Sequence, residues 1–344
     1  MTTPSYRAAE IAGKAADIRQ LARVETYTAT LGGRRARLFA AGGFDAEVLL
    51  DRGMDLGAVT WQGIPMGFCT PALWQTAPSS DTGDNFSRRF GAGMLTTCGL
   101  DQFGSPNIDA GQQLPQHGRA TDLPAADISA DAHWTDDGAY EIGLSGLMRQ
   151  WRLFGEDLCW RRRISTVLGS NGLRIEDTVT NQGSNRWPHM MLYHFNAGYP
   201  LLDAGTTIDL ADVVAKRPSP RDATAAAGLS DWNTFAEPAT PFPEQVFRHD
   251  LDPAGSGRVR ISNPTLGLSL TIAVDPTVLP WAFEWKSAAV GTYVLGIEPA
   301  NCPTVDGRAA ARAMNALPEL EPGQSRSYRI HLSVDRVPTE VGSA

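Results

Sequence analysis

Four short stretches carry side chains that could move a proton or grip a polar ligand. "MMLYHFN" (190–196) places His194 inside an apolar run. In an extended strand alternate side chains share a face, so His194 and Asn196 point the same way, about 6.6 Å apart along the chain, with Leu192 beside them. "VLGIEPAN" (294–301) ends an apolar strand in Glu298, a carboxylate that is costly there unless it is paired or reaches a cleft. "LPQHGRA" (114–120) sets His117 in a polar turn before Gly118, which lets the backbone approach a ligand closely, and before Arg119. "LLDRGMDLG" (49–57) follows an apolar strand with Asp51, Arg52 and Asp55. Each has a plain alternative: a satisfied core histidine, a strand-end glutamate in water, a surface histidine, and an Asp–Arg pair fixing a turn.

The remaining histidines offer less. His331 lies on the polar face of an alternating strand, and His133 and His249 sit in polar, loop-like surroundings, so all three read as solvated. "RRR" at 161–163 likewise reads as a solvated strand face. Nucleotide, P-loop, zinc-protease and nucleophile-elbow motifs are missing.

Composition narrows the class. The 344 residues are 42% hydrophobic and 20% charged, ordinary for a globular chain, with a formal net charge of −8. With no basic stripe, nucleic-acid binding is disfavoured. No apolar run approaches the roughly 20 residues needed to span a bilayer, and no leader pattern opens the chain. Cys69, Cys98, Cys159 and Cys302 are widely spaced with no C-x-x-C pair, which points to reduced thiols, no zinc site and a cytoplasmic location.

The elements that must position these residues are strands. Residues 4–22 read as a short helix or a few helical turns; beyond them helical periodicity nearly vanishes. "GRVRISN" (257–263) and "SYRIHLSV" (327–334) alternate strictly, and "GLRIEDTVTNQG" (172–183) is a strand running into a turn. Further strands are expected at 24–31, 34–41, 46–51, 140–147, 151–168, 266–274 and 291–298. About a dozen strands separated by turn signals indicate an all-β sandwich or barrel of mostly antiparallel sheets. Segments 71–92, 99–127 and 203–256 read as long loops, the usual place for a site on a β scaffold. The expected organisation is an N-terminal helical extension, 1–23, and one β domain, 24–338.

As an ordered set, "DRGMDLG", "TTCGL" (96–100), "HGR", "LYHFN" and "EPAN" resemble the aldose 1-epimerase (galactose mutarotase-like) superfamily, and within it a divergent, uncharacterised branch. The resemblance spans roughly residues 24 to 335. It implies a large antiparallel β-sandwich, often called a supersandwich. It also implies interconversion of the anomers of a free sugar by acid–base ring opening. Glu298 would take the anomeric hydroxyl proton, His194 would protonate the ring oxygen, and His117 would assist. No metal or organic cofactor is implied, and the protein would be a monomer or homodimer. The continuation "FNAGYP" departs from the better-known mutarotases, as does the lack of their early Asn-Arg pair. Arg52 and Arg119, with Arg89 and Lys286, are the cations near the motifs, and Asn196 the amide. Because arginine grips anionic groups bidentately, they raise an acidic sugar as substrate. A different isomerase, epimerase or lyase reaction on the same scaffold, or a non-catalytic carbohydrate-binding protein, are the alternatives.

Overall fold

The computed structural model describes residues 6–30, 32–74 and 85–338. The strict alternations become strands as expected. Leu173, Ile175 and Val179 are buried in Gly172–Asn181 while Arg174 and Glu176 face solvent. Tyr328, Ile330, Leu332 and Val334 are buried in Ser325–Arg336. These two strands pair at the middle of an eight-stranded sheet. Its order is Ala126–Trp134, Tyr140–Trp151, Asp157–Val167, Gly172–Asn181, Ser325–Arg336, Leu268–Val274, Arg258–Asn263 and Thr207–Leu210.

A six-stranded sheet carries the histidine and glutamate stretches. Its order is Ser219–Pro220, Gln245–Asp250, Trp281–Ala289, Thr292–Ala300, Leu192–Ala197 and Leu95–Cys98. A five-stranded sheet, from Ala22–Thr28 to Ile64–Pro65, packs beside them. Pairs within all three are antiparallel. One core cluster draws Tyr193, Phe195 and Ile297 from the six-stranded sheet, Trp160, Ile175 and Ile330 from the eight-stranded sheet, and Leu38 and Val48 from the five-stranded one. Burying the facing sides of two sheets leaves each strand one inward and one outward row of side chains.

Four sequence readings change. Arg162, the middle of "RRR", is fully buried and not solvated. Alternation sends Arg161 and Arg163 outward and Arg162 into the core, where its charge is matched. It contacts Asp177 at 2.8 and 2.9 Å, Asp55 at 3.0 Å and the Thr97 hydroxyl at 3.0 Å, and its guanidinium lies 4.4 Å from the Trp160 ring. His249 lies in a strand, not a loop; it is buried, with its Nε2 2.9 Å from Glu284. His133 also lies in a strand, Ala126–Trp134, and its side chain is exposed. The 203–256 segment holds Thr207–Leu210, Ser219–Pro220, the helix Ala223–Ala227 and Gln245–Asp250, short elements without the periodicity that reveals longer ones. At the N-terminus, helix Ala8–Ile11 and the 3-10 turn Ile18–Gln20 precede the first strand.

Arg162→Met removes the cation that bonds directly to two buried carboxylates, Asp55 and Asp177. Such a loss typically costs about 3–5 kcal/mol. Urea denaturation is expected to show it; a change below about 1 kcal/mol would mean the network is not needed for folding.

Candidate active site

Sheet register brings the site together. Leu192 pairs with Ala300, Phe195 with Ile297 and Asn196 with Gly296, so His194 lies directly across from Glu298. Tyr193 and Phe195 face the core, which turns His194 to the outer face of the six-stranded sheet. There His194 Nε2 stands 3.2 Å from Glu298 Oε1. Gly296 keeps the gap open: a Cβ at that position would sit 3.0 Å from both Glu298 Oε1 and His194 Cε1.

His117 arrives from the loop above. Its φ of 58° and that of Gly118, 75°, are both in the left-handed region. Gly118 is required there, since a Cβ would lie 2.2 Å from the carbonyl oxygens of Gly99 and Gln102. The glycine thus serves backbone against backbone, not the approach of a ligand. The His117 amide donates to Gly104 and its carbonyl accepts from Gly99, which fixes the turn. The His117 and His194 rings meet edge to face at 5.9 Å.

The three residues line a cavity of about 540 Å³. Phe86, Phe90 and Trp285 form its aromatic walls; Phe90 and Trp285 each lie 5.5 Å from the His194 ring. Its other charged side chains are Arg221 and Glu244. Trp285 Nε1 donates to Glu244 at 2.8 Å, and Arg221 Nη2 holds Asp306 at 2.9 Å and the Ser105 hydroxyl at 3.1 Å.

Burial sets the proton balance. It pushes the Glu298 carboxyl up to about 8, with the Glu244 charge adding to the rise and Arg221 opposing it. It pushes His194 down to about 3, helped by His117, and His117 down to about 4, helped by Arg221. Near neutral pH the pair therefore holds one proton, placed on Glu298, and both imidazoles are uncharged. Nδ1 of His117 and Nδ1 of His194 are buried with no hydrogen-bond partner.

The other residues singled out from sequence lie elsewhere. Asn196 is buried behind His194, donating to the carbonyls of Gly93 and His194. Lys286 alternates with Trp285 and faces the other side of the sheet, where its Nζ donates to the carbonyls of Asp231 and Thr234. Arg119 lies 4.0 Å from Asp101. Arg89 pairs with Asp122, and Arg52 Nη2 donates to the Arg89 carbonyl. None of these five lines the cavity. Arg221 and Glu244 were not singled out. Their sole signal was membership of the loop-rich 203–256 segment, in "PSPRD" and "PFPEQ". Among the described residues no group of three or more His, Cys, Asp or Glu could hold a metal ion, and no helix is long and apolar enough to cross a membrane.

The sequence matches a family described as a domain of unknown function (DUF4432) over residues 31–334. The chain belongs to that family. No curated protein matches it. Solved structures place this DUF4432 protein among galactose mutarotase-like β-sandwiches, as the motif resemblance implied. A Klebsiella pneumoniae subsp. pneumoniae protein provisionally named an aldose 1-epimerase is 24% identical, with a TM-score of 0.80 over 91% of this chain and 83% of its own. A galactose mutarotase-like protein of Clostridium acetobutylicum is 13% identical, with a TM-score of 0.64 over 92% of this chain and 100% of its own. A galactose 1-epimerase of Lactobacillus acidophilus is 13% identical, with a TM-score of 0.55 over 92% and 99%. At these identities the likeness establishes the fold.

A carbon-13 NMR titration of the side-chain carboxyls, assigned with Glu298→Gln, is expected to show Glu298 titrating near 8. A midpoint in the ordinary carboxylate range, near 4.3, would refute the proton balance described above.

Proposed function

We propose that this protein interconverts the anomers of a free sugar by acid–base ring opening. The observation that carries the reading is the contact at 3.2 Å between His194 and Glu298, facing a cavity beside His117. Ring opening of a hemiacetal needs a base at the anomeric hydroxyl and an acid at the ring oxygen, two oxygens on one carbon. Two proton-handling groups in contact match that demand.

The pair's single proton serves both roles. A bound sugar offers hydroxyl donors to Glu298, which favours its carboxylate form and moves the proton to His194. The carboxylate then takes the anomeric proton, the C1–O5 bond breaks as the C1 carbonyl forms, and the imidazolium protonates O5. This leaves Glu298 protonated and His194 neutral, the resting arrangement. After rotation about C1–C2 the same transfers run backwards on the other face of the carbonyl. Only protons move, so the cycle calls for no cofactor. His117 supplies a neutral imidazole to orient the ring oxygen or the C1 hydroxyl, and the aromatic walls keep the pair dry.

The cavity favours an uncharged sugar. This reading is supported by the lining, which does not include the four cations that raised an acidic one and in which Arg221 pairs with Asp306. A panel of aldoses, uronates and sugar phosphates, followed by NMR exchange between anomers, tests this. Neutral aldoses are expected to exchange faster than uronates; preference for the acids would reverse the assignment. Tight sugar binding with no accelerated exchange would instead mark a binding protein.

His194→Ala and Glu298→Gln are each expected to lower kcat by about 10²–10⁴-fold with the fold intact. Full activity in both would end the mechanism. The pH profile follows from the proton count. The active pair carries one proton, so kcat/KM falls as pH rises through about 8, where Glu298 loses it, and stays level down through neutrality. A rate that climbs steadily above pH 8 would contradict the shared proton.

A further inference from the structure

An aromatic strap crosses the two histidines, and three charged residues outside the cavity help to hold it. The helix Asn85–Arg89 presents Phe86 to the His117 ring at 4.6 Å. Phe90, the next residue, reaches the His194 ring at 5.5 Å and the Trp285 ring, edge on, at 6.1 Å. Phe86 and Phe90 also contact each other at 5.2 Å. Five residues are far too few for a helix to hold itself, so its position must be imposed from outside.

The imposing contacts are specific. Arg89 forks onto Asp122, with Nη1 2.9 Å from Oδ2 and Nη2 in contact with Oδ1, in a pair whose side chains are 13% and 14% exposed. Asp122 ends the short turn Ala120–Asp122, which follows directly on His117, Gly118 and Arg119. The ion pair therefore joins the strap to the loop that carries His117. From beneath, buried Arg52 donates from Nη2 to the Arg89 carbonyl at 3.3 Å. The Thr70 hydroxyl donates to the Phe90 carbonyl at 2.6 Å. Gly91 then lets the chain turn away, since a Cβ there would fall 1.8 Å from the Leu73 carbonyl oxygen.

We propose that Arg52, Arg89 and Asp122 are positioning residues that hold Phe86 and Phe90 against His117 and His194, fixing both imidazoles and keeping bulk water off the His194–Glu298 pair. None of the three lines the cavity, so they act through the two phenyl rings. A forked guanidinium–carboxylate pair suits this task because it fixes direction as well as distance. Their role for a sugar rests on the acid–base reading of the site; their grip on the rings does not.

The test uses Arg89→Ala, the isosteric Asp122→Asn and the swapped pair R89D/D122R. Imidazole titrations by nitrogen-15 NMR report on the rings without reference to turnover. Among the described residues the charged groups that line the cavity with the two rings are Glu298, Glu244 and Arg221, the Cys98 thiol lies near Glu298, and none is altered in these variants. Either single variant is expected to admit water and raise the His117 and His194 midpoints from about 4 and about 3 toward the ordinary imidazole range. Anomer exchange should show kcat reduced about tenfold to a hundredfold with KM nearly unchanged, and recovery of both readouts in the swapped pair. Unchanged ring titrations in folded Arg89→Ala and Asp122→Asn would overturn the proposal whatever the sugar kinetics. Shifted titrations in a protein whose parent exchanges no sugar would uphold the positioning role and overturn the epimerase reading.

Discussion

The buried guanidinium of Arg162 is the constraint on which the rest of the structure depends. It comes from the eight-stranded sheet with Asp177, and it meets Asp55 from the five-stranded sheet and Thr97 from the six-stranded one. Tyr193, also of the six-stranded sheet, donates its hydroxyl to Asp177 at 2.7 Å. Burial alone would lower the Arg162 pKa, but the Asp177 and Asp55 charges more than offset it and keep the guanidinium charged. One cation thus joins three sheets through hydrogen bonds whose directions are fixed, something apolar packing alone does not supply. Because the strand period is two, its reach extends through the sheet. Fixing Tyr193 and Thr97 on the inner face fixes His194 and Thr96 on the outer one.

The outer face is covered by a second, separate network. Arg308 donates to Asp101 and Asp109 at 2.8 Å each and to Gln112, while Gln150 holds the other Asp101 oxygen. Beneath it a small apolar cluster of Phe103, Met190, Leu192, Phe283, Val305 and others packs beside the His194–Glu298 pair. This cover helps to bury the pair, His194 and Glu298 being 5% and 4% exposed. Burial disfavours a carboxylate and an imidazolium alike, so the pair retains one proton and little net charge. A solvated pair would hold a carboxylate at neutral pH and leave the imidazole to titrate on its own. The site's chemistry is therefore a consequence of how its loops are anchored as much as of the two side chains.

That division explains what could be read in the sequence. Strands with one buried face announced themselves by alternation: Gly172–Asn181, Arg258–Asn263 and Ser325–Arg336 match expectation closely. His194, Glu298 and His117 stood out because each breaks an apolar run or forms a His-Gly turn, and the fold brings them to one cavity. Arg162 did not stand out, because three successive arginines look the same whichever one faces inward. Lys286 could be placed only once the register with Glu298 was known, and that register turns Trp285 to the site instead. Arg221 and Glu244 come from a segment with no period at all. Their approach depends on tertiary contacts that local sequence does not encode.

Arg52 and Arg89 show most clearly how residue type and position separate. As cations near the motifs they suggested an anionic ligand. In the structure Arg89 pairs with Asp122, Arg52 donates to the Arg89 carbonyl, and the cavity meets the phenyl rings instead. Residues of the same type can therefore line a cavity or brace the loop beside it, and only their contacts tell the two apart. The fold shared with mutarotase-like proteins does not by itself name a ligand; the side chains that reach the cavity decide what it would accept. Besides small polar and aliphatic groups, those side chains include three aromatic rings, two uncharged imidazoles, one protonated carboxyl, and Arg221 and Glu244 with opposite charges. On the proposed reading, such a surface would discriminate among sugars by shape, stacking and hydroxyl pattern and not by net charge.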